Sequence, residues 1–163
     1  MRAADPPWRR TLFRHVLPLA LLPSVAWPLG QAGEGVLRAE PGVLAAAFAA
    51  TLVFSIATVL FLALGIYLLS PFFEVGRRWN AAVTVSAYAS TPVLLSGVLL
   101  FIPMLVIAGM AALAYAFLLC DMGLQKVLGC RGNDAVAFVA SACGFAAVAA
   151  ALLGALCSAA GLI

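Results

Sequence analysis

The chain has 163 residues, of which 66% are hydrophobic and 9% are charged, and its mean hydropathy is +1.16. A soluble domain carries ~25% charged residues, so this chain has too few charges to cover a water-facing surface. We therefore expect lipid to surround one all-α membrane domain that spans residues 1–163. The net charge of +3 comes from basic residues in short flanks, which typically set membrane orientation, and we do not expect nucleic acid as a partner.

The first apolar run, residues 16–30, follows a basic start and contains three prolines. A basic start before an apolar stretch resembles a signal peptide, but prolines spread along the run fit one poorly. We favour a first membrane helix over approximately residues 13–31. Each proline lacks a backbone N–H and leaves the carbonyl four residues earlier without its partner. This helix is therefore expected to be kinked or partly unwound and to be the least regular.

The middle of the chain predicts three further crossings. Residues 43–70 are uncharged and are long enough for one crossing, which needs ~20 apolar residues. Residues 79–120 also carry no charge and are about twice as long as one crossing needs. They must fold back, and we place the corner at Ile102-Pro103. The resulting hairpin consists of helices over approximately residues 81–102 and 103–122.

A fifth helix is predicted over approximately residues 135–161, with Asp134 as its cap. Gly123 is predicted to end the fourth helix. The last segment consists mostly of Ala, Gly, Ser and Cys and contains two pairs of small residues four positions apart, which let helix backbones approach closely. We favour packing inside the bundle over a dimer face for these pairs, which are Ala140 with Gly144 and Gly154 with Ser158.

Lysine and arginine are distributed unevenly between the two sides of this five-helix topology. Of the nine such residues, all but Arg38 fall at the N-terminus or in the two loops on the same side as the N-terminus. Basic residues are enriched in cytoplasmic loops. The bias therefore predicts a cytoplasmic N-terminus and a C-terminus outside.

Residues typical of catalysis or metal binding do not form recognisable motifs. No charged residue lies deep in a predicted helix, which argues against an ion-coupled transporter. The sequence contains no phosphate loop, no H-E-x-x-H and no G-x-S-x-G motif. The cysteines lack C-x-x-C spacing, and His15 is distant from them in sequence. We predict no enzyme, with no catalytic, cofactor-binding or metal-binding residue; the four cysteines are Cys120, Cys130, Cys143 and Cys157.

Polar side chains cluster around Pro92. A proline there leaves the carbonyl of Tyr88 unpaired, and Ser90 or Thr91 can help to satisfy the disturbed backbone. Two interpretations stay open. One is a kink whose polar groups are satisfied locally, which we favour, and the other is a groove at the cytoplasmic end for a lipid or a partner. The candidate kink and groove residues are Tyr88, Ser90, Thr91, Pro92, Pro103, Tyr115 and Gly123.

The stretch Ala87-Tyr88-Ala89-Ser90-Thr91-Pro92 resembles the aY-x-x-tP signature of the Ypt-interacting-protein (YIP) family of integral membrane proteins. Pro103, Tyr115, Gly123 and the Ala-led last helix fit the same pattern, so the resemblance covers almost the whole chain. It implies five membrane helices with a cytoplasmic N-terminus, and the short tails fit a multi-pass protein of the bacterial inner membrane. Eukaryotic relatives bind small GTPases through long cytoplasmic tails. Because this N-terminal tail is short, we do not expect GTPase binding.

Two functions from different classes are compatible with these features. The favoured one is a non-enzymatic scaffold or accessory protein that packs against membrane lipid, another membrane subunit or a second copy of itself; a folding or assembly factor is not distinguishable from it. The alternative is a small channel or carrier for a neutral or lipidic solute. Its lining residues would be Tyr67, Tyr88, Thr91 and Tyr115.

Overall fold

The computed structural model describes residues 8–33, 41–97, 106–130 and 132–159. Within these ranges every regular element is helical and no strand occurs, which confirms the all-α prediction. In chain order the elements are α1 (Trp8–Thr11), a first π-helical turn (Leu12–Val16), α2 (Leu17–Gly33), α3 (Pro41–Leu69), a 3₁₀ turn (Ser70–Phe73), α4 (Trp79–Ala89), α5 (Thr91–Ser96), α6 (Val106–Gly123), a second π-helical turn (Leu124–Leu128) and α7 (Gly132–Ala159).

The proline-rich first segment stays helical through α1, the first π turn and α2. Its irregularity takes the form of the π turn, in which the Leu17 N–H donates to the carbonyl of Leu12. This wider turn lies directly before Pro18, and widened turns are a common way to accommodate a break in the helical hydrogen bonds. The unwinding expected from the prolines does not occur in the described backbone.

The predicted third crossing, residues 81–102, is two helices in the described part of the chain. α4 and α5 are separated by Ser90 alone, whose backbone dihedrals are φ −78° and ψ −12°. The Leu94 N–H donates to the Ser90 carbonyl at 2.9 Å, so the break is short. Its physical cause is Pro92, which has no N–H to donate to the preceding turn. The predicted corner at Pro103 lies outside the described residues.

Three stretches in the described residues are long and apolar enough to cross a membrane, as judged by length and composition. They are Gly42–Phe73, Gly109–Leu128 and Asp134–Leu156, with mean hydropathies of 2.6, 1.4 and 2.3. Only 22%, 11% and 22% of their apolar windows are buried inside the chain. Most of their apolar surface therefore faces outward, as it does in helices that are surrounded by lipid.

The short helix α4 is the most enclosed element of the described bundle. Seven of its 11 residues are buried, and most of them are small. α4 packs against α1, α3 and α6, because small side chains allow helices to approach closely. In the same hydrophobic core, the fully buried Phe138 of α7 stacks on Phe73, with ring centroids 4.7 Å apart.

The ends of α6 and α7 differ in detail from the sequence predictions. α6 ends at Gly123 as predicted, but the backbone there is right-handed (φ −64°) and continues through the second π turn. The chain leaves the helix at Gly129, whose φ of +75° is left-handed and favours glycine. The prediction that Asp134 caps the last helix was wrong, because α7 begins at Gly132. Asp134 lies in its first turn, where a carboxylate still interacts favourably with the helix dipole.

Candidate functional site

The break between α4 and α5 is lined by hydroxyl groups that donate to nearby carbonyls. Ser90 Oγ donates to the carbonyl of Ser86 at 2.7 Å, and Thr91 Oγ1 donates to the carbonyl of Ala87 at 3.2 Å. The Ser86 carbonyl also accepts the Ser90 backbone N–H at 2.9 Å, so these are the usual bonds from a helical hydroxyl to the carbonyl four residues earlier. Neither hydroxyl donates to the Tyr88 carbonyl, which is the one that loses its partner at Pro92. The local hydrogen bonds account for Ser90 and in part for Thr91.

Thr91 has a second partner, His15, which is 76 residues away in sequence and lies in the first π turn. The His15 Nε2 and Thr91 Oγ1 atoms are 3.1 Å apart. Because the Thr91 hydroxyl already donates its proton to the Ala87 carbonyl, the hydroxyl oxygen accepts from His15 Nε2–H. The His15 ring also packs on the ring of Tyr88, with centroids 4.6 Å apart and planes tilted by 45°.

Next to this contact is a cleft of about 350 Å³ whose lining is basic and polar. The residues that line it are Arg10, Thr11, Arg14, His15 and Tyr88. Sequence reasoning singled out Tyr88 but missed the other four. The available signal was the spacing of Arg10, Thr11, Arg14 and His15, since residues three and four apart share one face of a helix.

The remaining groove candidates lie apart from this cleft. Tyr115 is 54% exposed on α6 and is not among the residues that line the cleft. Gly123 is a packing position, because a Cβ built there would lie 2.9 Å from Val85 Cγ1. Pro92 is half-buried in the first turn of α5. The structure thus groups Tyr88, Ser90, Thr91 and Pro92 and separates Tyr115 and Gly123 from them; Pro103 is outside the described ranges.

The residues suggested to line a channel do not converge on one cavity. The ring of Tyr67 lies edge-on to the ring of Trp79 at 5.6 Å and beneath the guanidinium of Arg77 at 5.4 Å. Tyr88 instead contacts His15, and Tyr115 is exposed on α6. These tyrosines therefore occupy separate surfaces of the described bundle.

The favoured internal packing is not observed for the first small-residue pair on α7. Ala140 is exposed, and no described atom lies within 4 Å of a Cβ built at Gly144 or Gly154. α7 packs on α3 through a different face, where a Cβ at Gly65 would lie 3.0 Å from Phe145 Cδ1 and 3.2 Å from the Ala142 carbonyl. The reason is helical periodicity, since Ala142 and Gly144 lie on opposite sides of α7. Ser158 belongs to the last turn of α7.

In the described ranges, no group of three or more His, Cys, Asp or Glu residues is placed so that it could hold a metal ion. The thiols of Cys120, Cys130 and Cys143 are unbridged. One buried carboxylate oxygen, Asp121 Oδ1, has no described hydrogen-bond partner, while Asp121 Oδ2 accepts from Gln125 Nε2 at 2.9 Å.

Comparison with protein-family models finds a match over most of the chain. The model of the Yip1 domain matches residues 1–155. No curated protein and no solved structure matches significantly. The matched region includes both the His15 segment and the Tyr88–Pro92 stretch, and it confirms the resemblance to the YIP family. The chain is therefore a membrane protein and belongs to the Yip1 domain family.

Proposed function

We propose that this protein is a non-enzymatic scaffold or accessory subunit that works by packing a helix against another membrane subunit. The observation that carries the proposal is the outward face of α7, opposite the face that contacts α3. We call this face the α7 outer stripe. All its members are exposed, and all but one are Ala or Gly; they are Ala137, Ala140, Gly144, Val148, Ala151 and Ala155.

The small size of these side chains favours a helix over lipid as the neighbour. Where α6 faces outward it exposes large residues, among them Met110, Leu113 and Leu118, which acyl chains solvate well. Small side chains such as Ala and Gly make less van der Waals contact with acyl chains than these large side chains do. They do allow two helix backbones to approach closely, which raises van der Waals contact between the helices. α7 is thus suited to receive a helix and α6 to face lipid.

Co-purification tests this proposal. Extraction from native membranes in mild detergent should yield a defined complex, and Ala140→Leu or Gly144→Leu should dissociate it. Ala111→Leu is the matched control, because Ala111 is equally small and is exposed on α6. A wild-type protein that is monomeric in native lipid would overturn the proposal. So would dissociation by the Ala111→Leu control to the same extent.

We also propose five crossings in a bacterial inner membrane, with the N-terminus in the cytoplasm. The segments α1–α2 and α4–α5 would supply the crossings beyond the three apolar stretches described above. The uneven distribution of lysine and arginine supports this orientation. A reporter fused after Ile163 should be active only outside the cytoplasm, and activity only in the cytoplasm would contradict it.

The channel or carrier remains the alternative, but no observation on the described residues favours it over the scaffold. It would gain support from solute flux in proteoliposomes that is lost when Tyr88 is replaced.

A further inference from the structure

The cleft beside Tyr88 concentrates positive charge on one face of the N-terminal segment. Arg10 and Arg14 are one helical turn apart and both are exposed. Thr11 and His15, the residues that follow them, also line the cleft. The register of α1 and the first π turn therefore presents four polar side chains to the same space. Tyr88 of α4, which is 56% exposed, completes the lining.

Among the described residues, the two cleft arginines have no acidic partner. No carboxylate in the described ranges forms an ion pair with Arg10 or Arg14. Arg9, the next residue in sequence, differs from them because its guanidinium lies 5.4 Å from the ring centroid of Trp8 and it does not line the cleft. The cleft thus holds two guanidinium groups that no described carboxylate neutralises, and their planar N–H donors match the oxygens of a phosphate group.

Tyr88 is held at the cleft by the contact between the N-terminal segment and the α4–α5 break. His15 donates to Thr91 and packs on Tyr88, so the first π turn is fixed against the α4–α5 break. This contact orients the cleft before a ligand arrives. A site that is already ordered loses less conformational freedom on binding than a flexible one.

Apolar surface adjoins the basic face. Phe13 and Leu17 of the same segment are 70% and 36% exposed. A ligand that joins a phosphate to acyl chains could place its charge on the arginines and its chains against these residues. We propose that the cleft binds a phosphate group, and that the headgroup of an anionic phospholipid supplies it. The site is built by α1, the first π turn and α4 and does not depend on the α7 outer stripe or on the scaffold proposal.

Binding is measured on the delipidated full-length protein by native mass spectrometry, with phosphatidylglycerol or phosphatidylcholine added. We expect wild type to retain phosphatidylglycerol in preference to phosphatidylcholine. Arg10→Gln and Arg14→Gln should each weaken retention about tenfold, which corresponds to about 1.4 kcal/mol. Arg9→Gln is the matched control, since it removes the same charge from the neighbouring residue outside the cleft. It should leave retention unchanged.

Two further experiments test whether the phosphate comes from a lipid or from solution, and whether the arginine variants act through folding. Inorganic phosphate without added lipid should stabilise wild type little. If it protects wild type but not Arg10→Gln against thermal unfolding, the cleft binds a soluble phosphate, and a phospholipid as the source of the phosphate is overturned. Arg14→Lys keeps the positive charge but loses the planar guanidinium with its paired N–H donors. It should therefore fold as wild type and bind phosphatidylglycerol with intermediate strength. Equal retention by Arg9→Gln and Arg10→Gln, or equal retention of both lipids by wild type, would overturn the proposal.

Discussion

α6 packs tightly on α4 at Gly123, and adding one methyl group there should destabilise the protein relative to the same change at an open helical glycine. A Cβ at this position would lie 2.9 Å from Val85 Cγ1 and 3.4 Å from Val85 Cγ2. Val85 is 4% exposed and is β-branched, so in a helix it has one strongly preferred rotamer. The valine cannot turn away from the new methyl group without strain.

The size of the effect follows from two opposing contributions. Replacing a glycine in a helical conformation by alanine gains about 1 kcal/mol from backbone propensity. Overpacking a tight contact costs about 1–3 kcal/mol. Gly154→Ala is the matched control, because no described atom lies within 4 Å of a Cβ built there. We expect Gly123→Ala to be less stable than Gly154→Ala by about 1–3 kcal/mol.

The assay is unfolding of the purified protein in detergent, followed by a thiol-reactive dye that labels buried cysteines such as Cys120. In the Gly123→Ala background, Val85→Ala should recover part of the lost stability, and a double-mutant cycle measures this coupling directly. If Gly123→Ala and Gly154→Ala were equally stable and showed no coupling to Val85, α4 and α6 could not be in the contact described.

The same unfolding assay tests three further positions. Gly65→Ala should be less stable than Gly154→Ala by about 1–3 kcal/mol, because the Ala142 carbonyl 3.2 Å away is backbone and cannot move aside; equal stability of the two variants would contradict the packing of α3 on α7. Thr91→Val should cost about 1 kcal/mol by removing the partner of His15, whereas Thr91→Ser should be near wild type, and equal stability of the two would refute the contact. Gly129→Ala should cost about 1–2 kcal/mol from its left-handed backbone alone, with Gly129→Asn less severe; an unchanged midpoint for alanine would argue against the left-handed turn.

Several features could be read correctly from local pattern. Hydrophobic runs as long as residues 43–70 predict membrane helices because length and polarity alone decide whether a segment can satisfy its backbone in lipid. The break near Pro92 was also predictable, since a missing N–H is a property of the residue itself. The prolines of the first segment predicted an irregular helix, and the irregularity takes the form of a π turn without unwinding, because the helix is supported by its neighbours. One such neighbour is Gly97, where a Cβ would lie 2.8 Å from Pro23 Cβ.

The faces of the helices were harder to assign. The last helix is so rich in small residues that hydrophobic periodicity does not distinguish its two sides. The pair Ala140 and Gly144 was therefore assigned to the interior, although the interior is lined by Phe138 and Ala142. The composition of the last helix showed that it permits close helix packing. It did not show which face of the helix packs inside the bundle.

By itself, the sequence determined that this protein is an all-α membrane protein of the Yip1 domain family, because apolar composition and a short signature are carried by neighbouring residues. Only the tertiary structure decided that His15 meets Thr91 across 76 residues and that Arg10 and Arg14 share a cleft with Tyr88. Helical spacing constrains which residues share a face, whereas the packing of distant segments depends on the shapes of both surfaces together. The site therefore arises from a contact between two segments, neither of which specifies it alone.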